Sequence, residues 1–252
     1  MSRHPNAPAW LIARPIAHRG LHDAAQGIVE NSLTAAHRAV GKNYAIECDV
    51  QASKDGEAIV FHDETLARLV GTPDAIGMLM ATEITRLTYK NAQEHIPTLE
   101  DFLSTVAGRV PLIVELKSRF DGDPSLARRV AQLAARYRGP LALKSFDTQI
   151  LCTLRELKIG LPLGLVAQAR YTAEEWPQLN ALARKNLEAL VDFPRARPDF
   201  LSWHIGDLPH AVPMLCRAGL GMKVMVWTVR TKAQRADAAR WADQIVFEGF
   251  EA

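Results

Sequence analysis

The sequence predicts an α/β fold, a closed (β/α)8 TIM barrel with a β-hairpin at its second strand. Short apolar runs rich in β-branched residues alternate with segments of helical period, the pattern of repeated β-α units and a parallel sheet. An Asp55-Gly56 pair turns one run back on its neighbour. The length, 252 residues, is ordinary for one such barrel.

In chain order the expected strands are residues 15–18, 44–51, 58–62, 111–117, 141–144, 163–166, 200–203, 223–227 and 244–247. That is one more than a barrel needs. The surplus is the return arm of a hairpin spanning residues 44–62, with Asp55 and Gly56 as its turn. Helix starts are signposted between the strands. Thr98 precedes the apolar positions Leu99, Phe102, Leu103 and Val106; Asp123 precedes Pro124; and Thr172 with Glu175 fits a capping box. No internal repeat or Pro-, Gly- and Ser-rich linker interrupts the series, so residues 1–252 are expected to form a single domain.

Composition excludes several classes. Hydrophobic residues make up 48% and charged residues 23%, the balance of a globule with a sizeable core rather than a disordered chain. The formal charge of +2 carries no nucleic-acid footprint. The densest basic stretch, residues 128–138, is interleaved with apolar positions such as Val130, Leu133 and Tyr137 and reads as the wet side of an amphipathic helix. Cys48, Cys152 and Cys216 have no CxxC spacing and are expected as buried reduced thiols. The apolar run at residues 9–13 is too short for a signal peptide or a membrane span, so a cytoplasmic protein without stable membrane insertion is expected.

In a parallel barrel, functional groups collect at the carboxyl ends of the strands. The first strand ends His18-Arg19-Gly20. Gly20 permits a sharp exit, His18 offers an imidazole suited to proton transfer, and Arg19 offers a bidentate grip on phosphate. Glu47 and Asp49 share one face of the next strand, because side chains two apart point the same way. Two adjacent like charges call for a cation, and oxygen donors without a neighbouring cysteine ligand favour Mg²⁺ or Ca²⁺. With Asp55 and Gly56 as the two turn residues, Asp49 faces His62 across the hairpin. Glu115-Leu116-Lys117 puts a third carboxylate ligand and a partner for substrate oxygen on one face. Ser145-Phe146-Asp147 and Trp227-Thr228 are expected to bring a hydroxyl and an aromatic wall to the same mouth.

Each assignment has a bland rival. Glu47, Asp49, Glu115 and Lys117 also fit a salt-bridge network at the barrel end. His18 and His62, taken singly, fit solvated rim positions; Asp147 fits an N-cap; Trp227 fits a residue that closes the barrel. The coincidence of two histidines with three carboxylates at one end favours chemistry. His4, His22, His37, His95, His204 and His210 are scattered and receive no role.

Taken in order, His18-Arg19-Gly20, Glu30-Asn31-Ser32, Glu47-Cys48-Asp49, Asp55-Gly56, His62-Asp63, Ile96-Pro97-Thr98-Leu99, Glu115-Leu116-Lys117, Ser145-Phe146 and Trp227-Thr228 resemble the glycerophosphodiester phosphodiesterase family. The matches run from residue 16 to about residue 228. The resemblance implies a phospholipase C-like barrel, one divalent cation, and hydrolysis of a small-molecule glycerophosphodiester to sn-glycerol 3-phosphate and an alcohol. It implies Glu47, Asp49 and Glu115 as metal carboxylates, and His18 and His62 as an acid/base pair. It further implies phosphate contacts at Arg19 and Lys117, with Glu30 behind them; Trp227 is taken as a substrate contact. His18 is expected as the base and His62 as the acid. A sphingomyelinase D-like barrel that stops at a cyclic product keeps the same site, and a catalytically silent phosphodiester-binding barrel is the alternative from another class. One departure stands out: the family's Thr-Asp-aromatic-Pro ending is replaced by Phe247-Glu248-Gly249-Phe250, which puts the closure of that side of the pocket in question.

Overall fold

The computed structural model describes residues 7–252; His4 and Pro5 of the N-terminal segment lie outside the described residues. Nine strands form one sheet: β1 (Ile16–Ala17), β2 (Ala45–Ala52), β3 (Ala58–Val60), β4 (Leu112–Leu116), β5 (Leu141–Ser145), β6 (Leu163–Ala167), β7 (Phe200–His204), β8 (Lys223–Val229) and β9 (Gln244–Phe247). Their order is β1-β9-β8-β7-β6-β5-β4-β2-β3, and β1 also pairs with β2. All of these pairings are parallel except β2 with β3. The barrel is therefore closed by eight parallel strands, with β3 as a hairpin arm. The intervening helices are α1 (Leu33–Gly41), α2 (Ala81–Ile84), α3 (Leu99–Val106), α4 (Ser125–Arg136), α5 (Thr148–Glu156), α6 (Ala181–Glu188), α7 (Phe193–Ala196), α8 (Ala211–Met214) and α9 (Lys232–Trp241).

Strand alternation sorts the residues into an inner and an outer set. Ile16, Ala45, Ile113, Ala142, Phe200, Met225 and Val246 fill the lower barrel, with Leu11 packed among them. Their neighbours one position on, such as Ile46, Val114, Leu143, Leu201 and Val226, face outward and pack beneath the helices. Cys48 belongs to this outer layer, so it cannot join the carboxylates on either side of it. All three cysteines are buried and free. The segment after the hairpin has a small core of its own, built from Ile59, Phe61, Leu66, Ile76, Ile84, Tyr89 and Ile96.

Helix starts follow their local signals. Thr98 and Asp101 cap α3 reciprocally, Asp147 caps α5 and Ser32 caps α1. Two expectations are corrected. The hairpin pairs Val50 with Val60 and Gln51 with Ile59, so Asp49 opposes Phe61 and not His62. The cause is the turn: Ser53 N–H donates to Glu57 O at 2.9 Å, Gly56 N–H to Ser53 O at 3.0 Å, and Gly56 takes φ 81°. This is a three-residue loop with a left-handed glycine, and the extra turn residue moves the register by one. At Thr172 the structure has a single turn rather than a helix, with Glu175 N–H donating to Thr172 Oγ1 at 3.2 Å. Pro177 lacks the donor needed to continue it, and α6 begins only after Asn180 caps its start. Among the described residues no helix is long and apolar enough to cross a membrane.

Candidate active site

Above the apolar floor the same inward positions turn polar. Glu47 and Asp49 on β2 and Glu115 on β4 are 1%, 1% and 4% exposed, and their oxygens lie within 4.8 Å of one another. The register opposes Asp49 to Glu115 directly. Two lysines lie among them. Lys117 Nζ is 2.9 Å from Asp49 Oδ1 and 2.7 Å from Glu115 Oε1; Lys144 Nζ is 3.0 Å from both Glu47 Oε1 and Glu115 Oε2. The salt-bridge arrangement considered as a rival is thus present. It does not use up the site, because a carboxylate oxygen carries two lone pairs and Glu47 Oε1, paired with Lys144, keeps one to offer.

These neighbours set the charge states. Burial pushes Glu115 up, but the charges of Lys117 and Lys144 override it and bring the carboxyl down to about 2. Burial likewise works against Asp49, and Lys117 first, then His62, Arg19 and His18, hold it well below the usual carboxylate range. Both lysines are held above their ordinary value, since the carboxylates outweigh the cost of burial.

The loop after β1 is tied to the same floor. Gly20 N–H donates to Glu47 O at 3.1 Å, and Arg19 N–H donates to Glu47 Oε2 at 3.1 Å. Gly20 has φ 79°, and a Cβ there would lie 2.9 Å from Ala35 Cβ, so the close approach to α1 requires glycine. The Arg19 guanidinium sits 2.6 Å from Glu30 Oε1 and 3.3 Å from Asp49 Oδ2. Asn31 clamps Asp49 from both sides: its Nδ2 donates to Asp49 Oδ2 at 3.0 Å, and its Oδ1 accepts from Asp49 N–H at 3.2 Å.

The two histidines are each anchored through Nδ1. His18 Nδ1 is 2.5 Å from Glu248 Oε2, and His62 Nδ1 is 2.8 Å from Asp63 Oδ1. Behind Asp63 stands Arg68, whose Nε donates to Oδ2 at 2.6 Å and whose guanidinium also pairs with Glu30. His18 Nε2 is 4.0 Å from Glu47 Oε2, which brings it to the carboxylate cluster.

Aromatic groups collect around the ends of β5 to β8. Phe146 packs edge-on against Trp176 and Trp227, with centroids 4.9 and 5.6 Å apart, and His204 tilts against Trp227 at 5.0 Å. Trp227 Nε1–H donates to Ser202 O at 3.1 Å. A cavity of about 380 Å³ lies behind Phe146, lined by residues such as Tyr171, Ala183, Leu187 and Arg195; it contains none of the carboxylates or anchored histidines of the mouth. Ser145 does not bring a hydroxyl to the mouth as expected. It is fully buried on the outward parity of β5, and its Oγ donates to Leu116 O at 2.7 Å.

Lys144 and Glu248 went unnoticed as site residues in the sequence. Strand parity is the signal that finds them: Lys144 lies two positions after the inward Ala142, and Glu248 two after the inward Val246. The donor set fits a hard divalent cation, with three converging carboxylates, no cysteine and lone-pair capacity at Glu47. A second grouping, Glu30, His62 and Asp63, is close enough for a metal, but Arg68 already pairs with both of its carboxylates.

Residues 18–250 match the glycerophosphoryl diester phosphodiesterase family. The Bacillus subtilis protein YhdW is 29% identical over 190 residues, 71% of this chain and 72% of that protein. A glycerophosphodiester phosphodiesterase of Caldanaerobacter subterraneus is 29% identical over 163 residues, 61% of this chain and 66% of the relative. Among solved structures, an Oleispira antarctica phosphodiesterase in complex with the product sn-glycerol-3-phosphate superposes with a TM-score of 0.77 at 21% identity, over 94% of this chain and 93% of that one.

Proposed function

Because this chain belongs to the glycerophosphoryl diester phosphodiesterase family, we propose that it hydrolyses small glycerophosphodiesters to sn-glycerol 3-phosphate and an alcohol, as a single-domain, divalent-cation-dependent enzyme. The observation that carries this reading is the convergence of three buried carboxylates with two histidines, each held at Nδ1 by a carboxylate, on one barrel mouth. The product bound in the Oleispira antarctica relative supports the same substrate class.

A phosphodiester resists attack because its negative charge repels nucleophiles. A cation held by Glu47, Asp49 and Glu115 would withdraw charge from the non-bridging oxygens. Arg19 and Lys117 add to that effect: both now face carboxylates and exchange those contacts for phosphate oxygens when substrate enters. Anchoring at Nδ1 leaves Nε2 of each histidine available for proton transfer. His18 takes the proton from the attacking hydroxyl, either of water or of the neighbouring glycerol carbon, and His62 gives one to the departing oxygen. Trp227 supplies a wall against the substrate.

The direct test couples glycerol 3-phosphate release to its dehydrogenase across a panel of glycerophosphodiesters, before and after chelation. Release that stops on chelation and returns with Mg²⁺ or Ca²⁺ is the expected result. Full activity in metal-stripped protein would end the metal reading; no release from any member of the panel would end the substrate reading.

A further inference from the structure

Glu248 stands just beyond β9, where the chain departs from the ending expected of its family. It follows the inward-facing Val246 by two positions, so strand parity aims it into the mouth. One carboxylate oxygen, Oε2, lies 2.5 Å from His18 Nδ1, and the other, Oε1, accepts from Arg230 Nε at 2.6 Å. His22 Nε2 lies 3.7 Å from Oε2. The backbone that carries the carboxylate is secured from both sides. Glu248 N–H donates to Val229 O at 3.1 Å; Gly249 turns away with φ 79°; Phe250 packs on Phe247, and Phe247 in turn on Tyr44.

An ionised carboxylate only accepts hydrogen bonds, so the ring proton of a neutral His18 belongs on Nδ1. That leaves the lone pair on Nε2, the nitrogen nearer the carboxylate cluster. Resting on the acid/base reading of His18 above, we propose that Glu248 is a positioning residue that fixes His18 in the Nδ1–H tautomer, with Arg230 locking the carboxylate in place. Burial would raise the Glu248 carboxyl, but the hydrogen bond from His18 and the charge of Arg230 hold it well below the usual carboxylate range. The arrangement parallels Arg68–Asp63–His62 across the mouth, so each histidine has a carboxylate held by an arginine. The Phe247-Glu248-Gly249-Phe250 ending thus supplies the group that orients the base.

Glu248→Gln is the decisive variant, because an amide can donate to Nδ1 and so favours the wrong tautomer at almost unchanged volume. The expected loss is roughly 10²- to 10⁴-fold in kcat with a much smaller change in KM, the scale seen when the carboxylate behind a catalytic histidine is amidated. Glu248→Asp should recover part of it. The readout independent of turnover is the ¹⁵N ring spectrum of His18 in the free protein, above the pH at which the ring protonates: Nδ1–H in the native chain, shifted toward Nε2–H in Glu248→Gln. Arg230→Gln alters an exposed side chain and should lower kcat several-fold with the fold intact. Native-like kcat in Glu248→Gln, or an Nε2–H tautomer in the native protein, would overturn the proposal. The tautomer is read without substrate, so it passes or fails whatever the turnover panel reveals about the substrate.

Discussion

Lys144, 2% exposed, lies within 3.0 Å of Glu47 and Glu115, so the carboxylates that suit a cation are also the ones that hold a buried ammonium. A salt-bridge network and a metal site are therefore not exclusive here: the lysines offset part of the charge that an ion would offset further. Lys144→Met leaves two buried carboxylates short of a partner and should destabilise the metal-free protein by about 3–5 kcal/mol. Mg²⁺ or Ca²⁺ should raise its melting temperature more than that of the native chain, and a metal-free variant as stable as the native protein would show that the network does not support the fold. His18 and His62 separate by chemistry. Alanine at either should lower kcat by roughly 10²- to 10⁴-fold. A p-nitrophenyl phosphodiester needs little protonation of its leaving group, so it should partly rescue His62→Ala and not His18→Ala; equal losses on both substrates would remove the division of labour. The charged residues of the short motifs were legible because their spacing in the strand fixes their face. Lys144 lies inside an expected strand, but an isolated lysine carries no motif and only parity reveals that it points inward.

The elements were legible where their signals are local. The alternation of apolar runs gave nine strands, and the caps at Thr98 and Asp147 start the helices that follow them. Register across the hairpin is not local in that sense. Asp55-Gly56 suits a two-residue turn as well as a three-residue one, and the choice decides whether Asp49 faces His62 or Phe61. The three-residue loop is favoured here by Ser53, whose Oγ donates to Asp55 Oδ1 at 2.7 Å and accepts from Glu57 N–H at 2.9 Å. Two glycines test how these turns carry the site. Gly56 has φ 81° with open space around it, so Gly56→Ala should cost about 1 kcal/mol and leave kcat nearly unchanged. Gly20 combines φ 79° with a 2.9 Å approach to Ala35, so Gly20→Ala must displace the loop that aims His18 and Arg19. It should lower both stability and kcat; urea titrations and steady-state rates on the pair distinguish a turn that shapes the hairpin from one that shapes the mouth.

At the scale of the whole barrel, charge is gathered around the end of β9 and the ends of β1 to β5, and aromatic surface around the ends of β5 to β8, so one mouth offers a polar floor and an apolar wall. Concentrating Glu47, Asp49 and Glu115 above a closed apolar core ties stability to pH in a direction that can be worked out. Glu115 has an ordinary value near 4.5 and is brought down to about 2 by Lys117 and Lys144 against the opposing effect of burial. A depressed carboxyl contributes stability that is fully present above the unfolded value and is lost as pH falls through the folded one. Asp49, Asp63 and Glu248 are shifted in the same direction. The metal-free protein should therefore weaken between about pH 4.5 and pH 2, with Glu115 alone accounting for roughly 3 kcal/mol. Glu115→Gln should start from lower stability at neutral pH and lose less on acidification. A bound cation draws on the ionised oxygens of the folded protein, so its stabilisation must fade as pH falls through their folded values, about 2 for Glu115. At pH 7, saturating Mg²⁺ or Ca²⁺ at about 100 times Kd should add about 2.7 kcal/mol, and once the pH has fallen below the folded value of Glu115, about 2, the same concentration should add much less. Thermal melts with and without metal at the two pH values measure the difference. An equal gain at both would mean that the cation binds somewhere other than these carboxylates, because protonation competes with a metal only at the atoms they share.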